Sequence, residues 1–260
     1  MGFYLPFPHP ALALADVSVT LGGLTILDGV SLAAPRGAVT GLIGPNGAGK
    51  TTVFNVLSGF VRPQSGAVSL NGRSVRKVHP HGLTRRGVSR TLQGVGLFPT
   101  LTVLDNVMLG VPTRYGVVAD ALALPWVDRE RHQAEERARA ALADLGISDE
   151  ASRTPAELPY PVQKRVALAR AIVSDPEVLL LDEPAGGIGE QDMAELGRLI
   201  RSWVPQRSVL LVEHHMELVM EVCDFIWVLD AGTVIASGTP DEVRQDPAVL
   251  AAYLGEEGAA

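Results

Sequence analysis

Residues 44–51 read GPNGAGKT, which fits the pattern G-x-x-x-x-G-K-[ST]. Its chemistry is phosphate binding. Gly44, Gly47 and Gly49 let the backbone curl so that its N–H groups converge, and those donors join the start of a following helix in holding phosphate oxygens. The cradle runs through Pro45, Asn46 and Ala48 to Lys50, Thr51 and Thr52. Lys50 can reach the β and γ phosphates as a point charge, and the Thr51 hydroxyl can ligate Mg²⁺. A second constellation is VLLLDEP, residues 178–184. An apolar strand ending in Asp182 sets a carboxylate beside such a loop, where it can hold Mg²⁺ through water. Adjacent residues at a strand end point apart. Asp182 can therefore face the metal while Glu183 faces an attacking water.

The surrounding sequence predicts the elements that position these groups. Ala13–Leu21 and Ile26–Ala34 read as strands closed by glycine and proline turns, and Ala38–Ile43 as a short apolar strand running into the loop. Lys50–Leu57 suits a helix, and Ala67–Leu70 before Asn71-Gly72 suits a strand. From Thr102 to Gly146 the β-branched alternation fades, and Asp128–Leu145 is rich in helix formers with opposite charges three and four apart. This predicts a helical insertion over 98–163, its charged stretch 128–139 forming a solvated face. Val166–Val173 is expected to be helical. Val178–Leu181 and Val209–Val212 read as strands of a buried parallel sheet. Strands alternating with helices give an α/β class. Residues 1–9 are expected to form an extension and 258–260 a frayed tail.

Composition narrows the function. With 22 Lys and Arg against 29 Asp and Glu, the chain carries a formal charge of −7, which argues against binding nucleic acid through bulk positive charge. The lone cysteine, Cys223, forms no internal disulfide and fits a reducing compartment. No stretch of 18 apolar residues is present, and the N-terminal segment lacks a basic start, so neither a membrane span nor a targeting segment is expected. Arg73, Arg76, Lys77, Arg85, Arg86 and Arg90 form an irregular basic run, read as a solvated face. Trp126, Trp203 and Trp227 are expected to be core or half-buried anchors.

The order of GPNGAGKTT, SRTLQ with Gln93, LLLDEP and LLVEHHM with His214 resembles the ATPase subunits of ABC transporters, over about Leu12 to Glu257. More narrowly, residues 89–110, 210–220 and 234–257 resemble the ATP-binding subunit of bacterial branched-chain amino-acid importers. The resemblance implies a P-loop NTPase of the ABC type. A mixed, largely parallel sheet core would carry an N-terminal antiparallel β subdomain and the inserted helical subdomain, in one ATPase domain over 10–257. It implies ATP and Mg²⁺ as ligands, with Gln93 touching Mg²⁺ and the attacking water. Glu183 would be general base or water-orienting group, and His214 the γ-phosphate contact. It also implies a second ATPase subunit, two transmembrane permease subunits, indirectly an extracytoplasmic solute-binding protein, and a place on the cytoplasmic face of the membrane. The apolar segment Val95–Pro99 would lie where a permease helix docks. Amino acid as cargo and import as direction rest on resemblance alone; urea or another small polar solute fits nearly as well.

Three departures from the family pattern matter. The signature LSGGQ, or LSYGQ in the amino-acid subfamily, is replaced by Leu158-Pro159-Tyr160-Pro161-Val162 before the helix KRVALARAI. In the family this loop donates to the γ-phosphate held by the other subunit of a head-to-tail dimer. Proline has neither hydroxyl nor N–H, so at least two donors are lost. The turn after DEP ends at Gly189 instead of Asp or Asn, and Leu21 stands where an aromatic ring often stacks on adenine. The expectation is an asymmetric dimer with an intact loop of its own and a degraded loop lent to its partner. Two alternatives remain open: a non-hydrolytic nucleotide-binding structural or regulatory subunit, and a soluble ABC protein of DNA repair or translation.

Overall fold

The computed structural model describes residues 7–75, 77–91, 94–112, 125–204 and 206–257. They fall into two compact units. The first takes the chain up to Arg90, then Glu177–Ala185 and from Gly189 on; the second takes Thr91–Pro176 and Gly186–Ile188. The second unit is thus wider than the insertion expected over 98–163.

The first unit holds two sheets. β1 (Leu12–Leu21), β2 (Leu24–Ala34), β4 (Ser65–Leu70) and β5 (Arg73–Val75) form an antiparallel sheet in the order β2-β1-β4-β5. The other has six strands in the order β10-β9-β3-β8-β7-β6, from β3 (Val39–Ile43), β6 (Val88–Arg90), β7 (Val178–Asp182), β8 (Ser208–Val212), β9 (Phe225–Asp230) and β10 (Thr233–Gly238). All its pairs are parallel except β9 with β10. Every residue of β3, β7 and β8 is buried. That explains their unbroken apolar runs, because a parallel sheet covered on both faces has no polar side. Helix α1 (Lys50–Leu57) sends Val53, Phe54, Val56 and Leu57 into one core with Leu12, Leu14 and Leu32 of the antiparallel sheet and Leu180 and Leu210 of the parallel one. Trp203 and Trp227 are buried as expected; the side chain of Trp126 lies outside those described.

Register decides where the chemistry gathers. Asp182 pairs with Val212 across β7 and β8, and Leu42 pairs with Val212 across β3 and β8. The three strands therefore end level, and the segments beginning at Gly44, Glu183 and Glu213 leave one edge together. The carboxyl edge of a parallel sheet is the usual place for a ligand.

The second unit is helical: α2 (Val103–Met108), α3 (Pro125–Asp144) and α4 (Tyr160–Ile172) pack on one another. Ala134, Ala138, Ala141 and Leu142 of α3, followed by Leu145, are buried at helical spacing. Residues between them pair in solvent, as Arg139 does with Glu135. α4 begins at Tyr160, ahead of the expected Val166, because Pro159 and Pro161 suit the first turn of a helix. Helices α5 (Glu190–Ser202), α6 (Met216–Val222), α7 (Pro240–Gln245) and α8 (Pro247–Glu257) return to the first unit. No described helix is long and apolar enough to cross a membrane.

Candidate nucleotide site

The loop after β3 has the shape its glycines permit. Gly44, Gly47 and Gly49 have φ of 149°, 79° and 105°. A Cβ on Gly44 would lie 1.9 Å from the Leu229 carbonyl oxygen, so no side chain fits there. A Cβ on Gly49 would press on Leu27 at 2.8 Å, whereas Gly47 has open space beside it. The loop is closed on one side and accessible on the other. The β9–β10 turn buttresses it, since the Gly232 amide donates to the Ala48 carbonyl at 3.1 Å. α1 follows at once, with no side-chain cap and no acidic residue in its first turn. Its leading amides and the positive end of its dipole suit an anion. The Lys50 ammonium donates to the carbonyls of Gly44 at 2.6 Å and Pro45 at 2.8 Å, which holds it across the loop. Thr51 is exposed and Thr52 half-buried.

Asp182 ends β7 and is buried, and its Oδ2 lies 2.8 Å from Arg90. The expectation that Arg90 belongs to a solvated basic run is corrected here. Its side chain is 10% exposed and its guanidinium also donates to Asn55 Oδ1 at 2.8 Å and Ser58 Oγ at 3.0 Å. It lies 5.4 Å from the Phe54 ring centre. The cause is register: β6 pairs in parallel with β7, Arg90 opposite Leu180, so a long side chain reaches the strand end. Arg73, Lys77, Arg85 and Arg86 are exposed, as the basic-run reading expects, and Arg76 lies outside the described residues. The metal carboxylate candidate is thus tied by one cation to α1.

Glu183 is half-buried and has φ of 48°, a left-handed conformation that costs a non-glycine residue about 1–3 kcal/mol. Its amide donates to the Val212 carbonyl at 2.9 Å. His214 leaves the end of β8 with its side chain 58% exposed. Gln93 lies outside the described residues. Asp182, Glu183, His214 and the 44–52 loop all belong to the first unit. Sequence reasoning missed Glu213, whose side chain is fully buried between the segments carrying Glu183 and His214. Its signal was present: it follows the apolar run of β8 as Asp182 follows that of β7. The donor set fits a nucleotide with a hard divalent cation. It offers backbone amides and an ammonium for phosphate, and hydroxyl and carboxylate oxygens for the metal.

The second unit carries the signature position. Pro159 caps α4, and the amides of Val162 and Gln163 both donate to the Pro159 carbonyl, at 3.0 and 3.1 Å. Pro159 and Pro161 have no N–H, so among residues 159–163 at most the Tyr160 amide is left to offer. The Lys164 ammonium lies 5.6 Å from the Tyr160 ring centre, and a Cβ on Gly187 would come within 3.0 Å of that ring. Nearby, the Val95–Pro99 loop is held from two sides. Arg170 donates to the carbonyls of Gly96 at 2.8 Å and Val95 at 3.2 Å, and Asn106 Oδ1 accepts from the Phe98 amide at 2.8 Å. Phe98 itself is exposed. In the first unit, the exposed Gly189 is the N-cap of α5 and offers it no side-chain bond, and Leu21 is half-exposed.

Known proteins resemble this chain. A family model described as ABC transporter matches residues 27–186, and one described as branched-chain amino acid ATP-binding cassette transporter matches 233–259. The high-affinity branched-chain amino acid transport ATP-binding protein LivG of Salmonella typhimurium is 39% identical over 95% of this chain and 99% of its own. BraF of Pseudomonas aeruginosa, a protein of the same description, is 37% identical over the same shares. Among solved structures, the ADP conformation of an ATP-binding cassette of an ABC transporter superposes with a TM-score of 0.82 at 28% identity, covering 95% of this chain and 99% of that one.

Proposed function

The chain belongs to the ABC transporter family of ATP-binding subunits, and from that premise we propose that it binds and hydrolyses ATP on its own loop to drive branched-chain amino-acid import through separate membrane subunits. Support for the cargo comes from the named activities of LivG and BraF. The observation that carries the ATPase reading is the level ending of β3, β7 and β8, which brings the glycine loop, Asp182, Glu183 and His214 to one sheet edge.

The mechanism follows from these residues. Loop amides and the α1 N-terminus receive the phosphate oxygens, and Lys50 shifts from loop carbonyls to the β and γ phosphates. Thr51 and Asp182 are the residues that would hold Mg²⁺, which when bound would supply charge neutralisation for the phosphates. Gln93 would join that metal shell. Glu183 accepts a hydrogen bond from the attacking water and orients it in line with the γ-phosphate. His214 contacts the γ-phosphate from the end of β8.

The signature position sets the asymmetry. In a head-to-tail dimer this chain's loop receives a partner's signature, while the partner's loop receives Pro159–Val162. Loss of one comparable donor costs about 10²–10³ in rate, so hydrolysis belongs to the site built on this chain's loop. The partner is a second ATPase subunit with an intact signature. Two permeases take up the motion at the Val95–Pro99 loop on the cytoplasmic membrane face, and a solute-binding protein delivers cargo from outside. The test is Glu183→Gln in the complex assembled with the partner. The expected result is loss of most ATPase activity; survival of most of it overturns the assignment.

A further inference from the structure

We propose that Glu213 is a positioning residue for this reaction, its two carboxylate oxygens binding the segment behind Glu183 to the segment that carries His214. The inference rests on the proposed roles of Glu183 and His214. A carboxylate with 0% side-chain exposure needs strong partners, because burying it without hydrogen bonds is costly. Glu213 divides its partners between its oxygens. Oε1 accepts from the Ala185 amide at 2.7 Å. Oε2 accepts from the amides of His214 at 3.1 Å and His215 at 3.4 Å, and lies 2.9 Å from His215 Nδ1. One rigid group therefore spans two backbone segments.

The segment it holds needs holding. Glu183 sits at φ 48°, and a strained residue persists only where its surroundings over-determine it. The Glu183 amide is fixed by the Val212 carbonyl and the Ala185 amide by Glu213, so the turn is pinned at both ends to the end of β8. His214 starts from the same carboxylate. Displacing either segment displaces the other. Ligand atoms of Glu213, His214 and His215 lie within 4.8 Å of one another, which resembles a cation site. Both carboxylate oxygens already accept from N–H donors, however, and a cation would have to displace these bonds. The arrangement is one of positioning.

Glu213→Gln is the test, because an amide must turn an NH₂ toward one set of N–H donors. In the purified full chain, amide exchange over 183–186 or 214–216 should quicken about tenfold or more, the effect of losing one buried acceptor. Exchange over 44–57 and ATP affinity should hold. In the chain assembled with its membrane subunits, kcat should fall about tenfold or more while KM for ATP stays within about threefold. Unchanged exchange at both segments, equal quickening over 44–57, or a loss confined to KM overturns the proposal. If Glu213→Gln does not fold, His215→Ala strips one donor and leaves the carboxylate buried. It should then lower kcat severalfold at constant KM, and an unchanged kcat overturns the proposal. Glu183→Gln alongside separates the failures. If it leaves activity intact the functional reading fails, whereas the exchange result stands on its own.

Discussion

The loop at 44–52 and the loop at 158–163 both read as places where backbone donors meet a phosphate, yet they are built in opposite ways. The first spends its glycines on the turn itself: Gly44 is squeezed against Leu229, Gly47 opens outward, and α1 begins without a side-chain cap or an acidic residue in its first turn. The second spends two prolines on starting a helix, and the Pro159 carbonyl takes the amides of Val162 and Gln163. A helix start can serve a ligand or its own chain, and residue type decides which. On the proposed reading, this cassette keeps the chemistry it performs and has lost the chemistry it lends.

Breaking the first region should cost most. Arg90→Ala takes the guanidinium away from the buried Asp182 carboxylate, and is expected to lower unfolding free energy by about 3–5 kcal/mol in denaturant titration. The double variant with Asp182→Ala should cost less than the two singles summed. An additive pair would show that the Arg90 contact carries no coupling. Lys50→Ala should cut ATP hydrolysis by about 10²–10³, or about 3–4 kcal/mol, at unchanged thermal stability. Leu21→Phe extends the same region toward adenine and should tighten ATP binding by about 1 kcal/mol or more in a binding titration. Pro159→Ala in the second region should leave hydrolysis on this chain's own loop unchanged and alter stability by about 0.5 kcal/mol or less. A large rate loss there would erase the contrast.

The smallest expected effect concerns Cys223, far from either loop in sequence. Burial, aided by Asp224, pushes its thiol up to about 12. The unfolded chain loses this proton from about pH 8.5 upward while the folded chain keeps it. The unfolded state thus binds fewer protons in that window, and stability falls as pH rises from about 8.5 toward the folded value. Native Cys223 should alkylate slowly at pH 8, which timed labelling with and without denaturant will measure.

The strands that carry chemistry were legible because burial on both faces leaves an apolar run, and a charge at its end stands out. Lys50–Leu57 was legible for the same reason that it works, a glycine loop passing into a helix. Arg90 was not, because its role depends on the pairing of β6 with β7, which no local pattern in SRTLQ reveals. Among basic neighbours it reads as one more solvated charge. Glu213 was overlooked beside two histidines whose chemistry is more familiar. α4 starts at Tyr160, six residues before Val166, because Pro159 caps it and Pro161 sits in its first turn, where proline is well tolerated. The hairpin of β9 and β10 turns on Ala231 and Gly232, both with positive φ, and supports the phosphate loop through a contact sequence cannot show.

Restoring the lost donors tests the central contrast most directly. Pro159→Ser, Pro161→Gly and Val162→Gln together, in the purified chain, should raise ATP hydrolysis above a near-background wild type. Adding Lys50→Ala should abolish the gain. A triple variant that folds and binds ATP but stays silent would contradict the account, and would place the defect in the chain's own loop or in its capacity to pair.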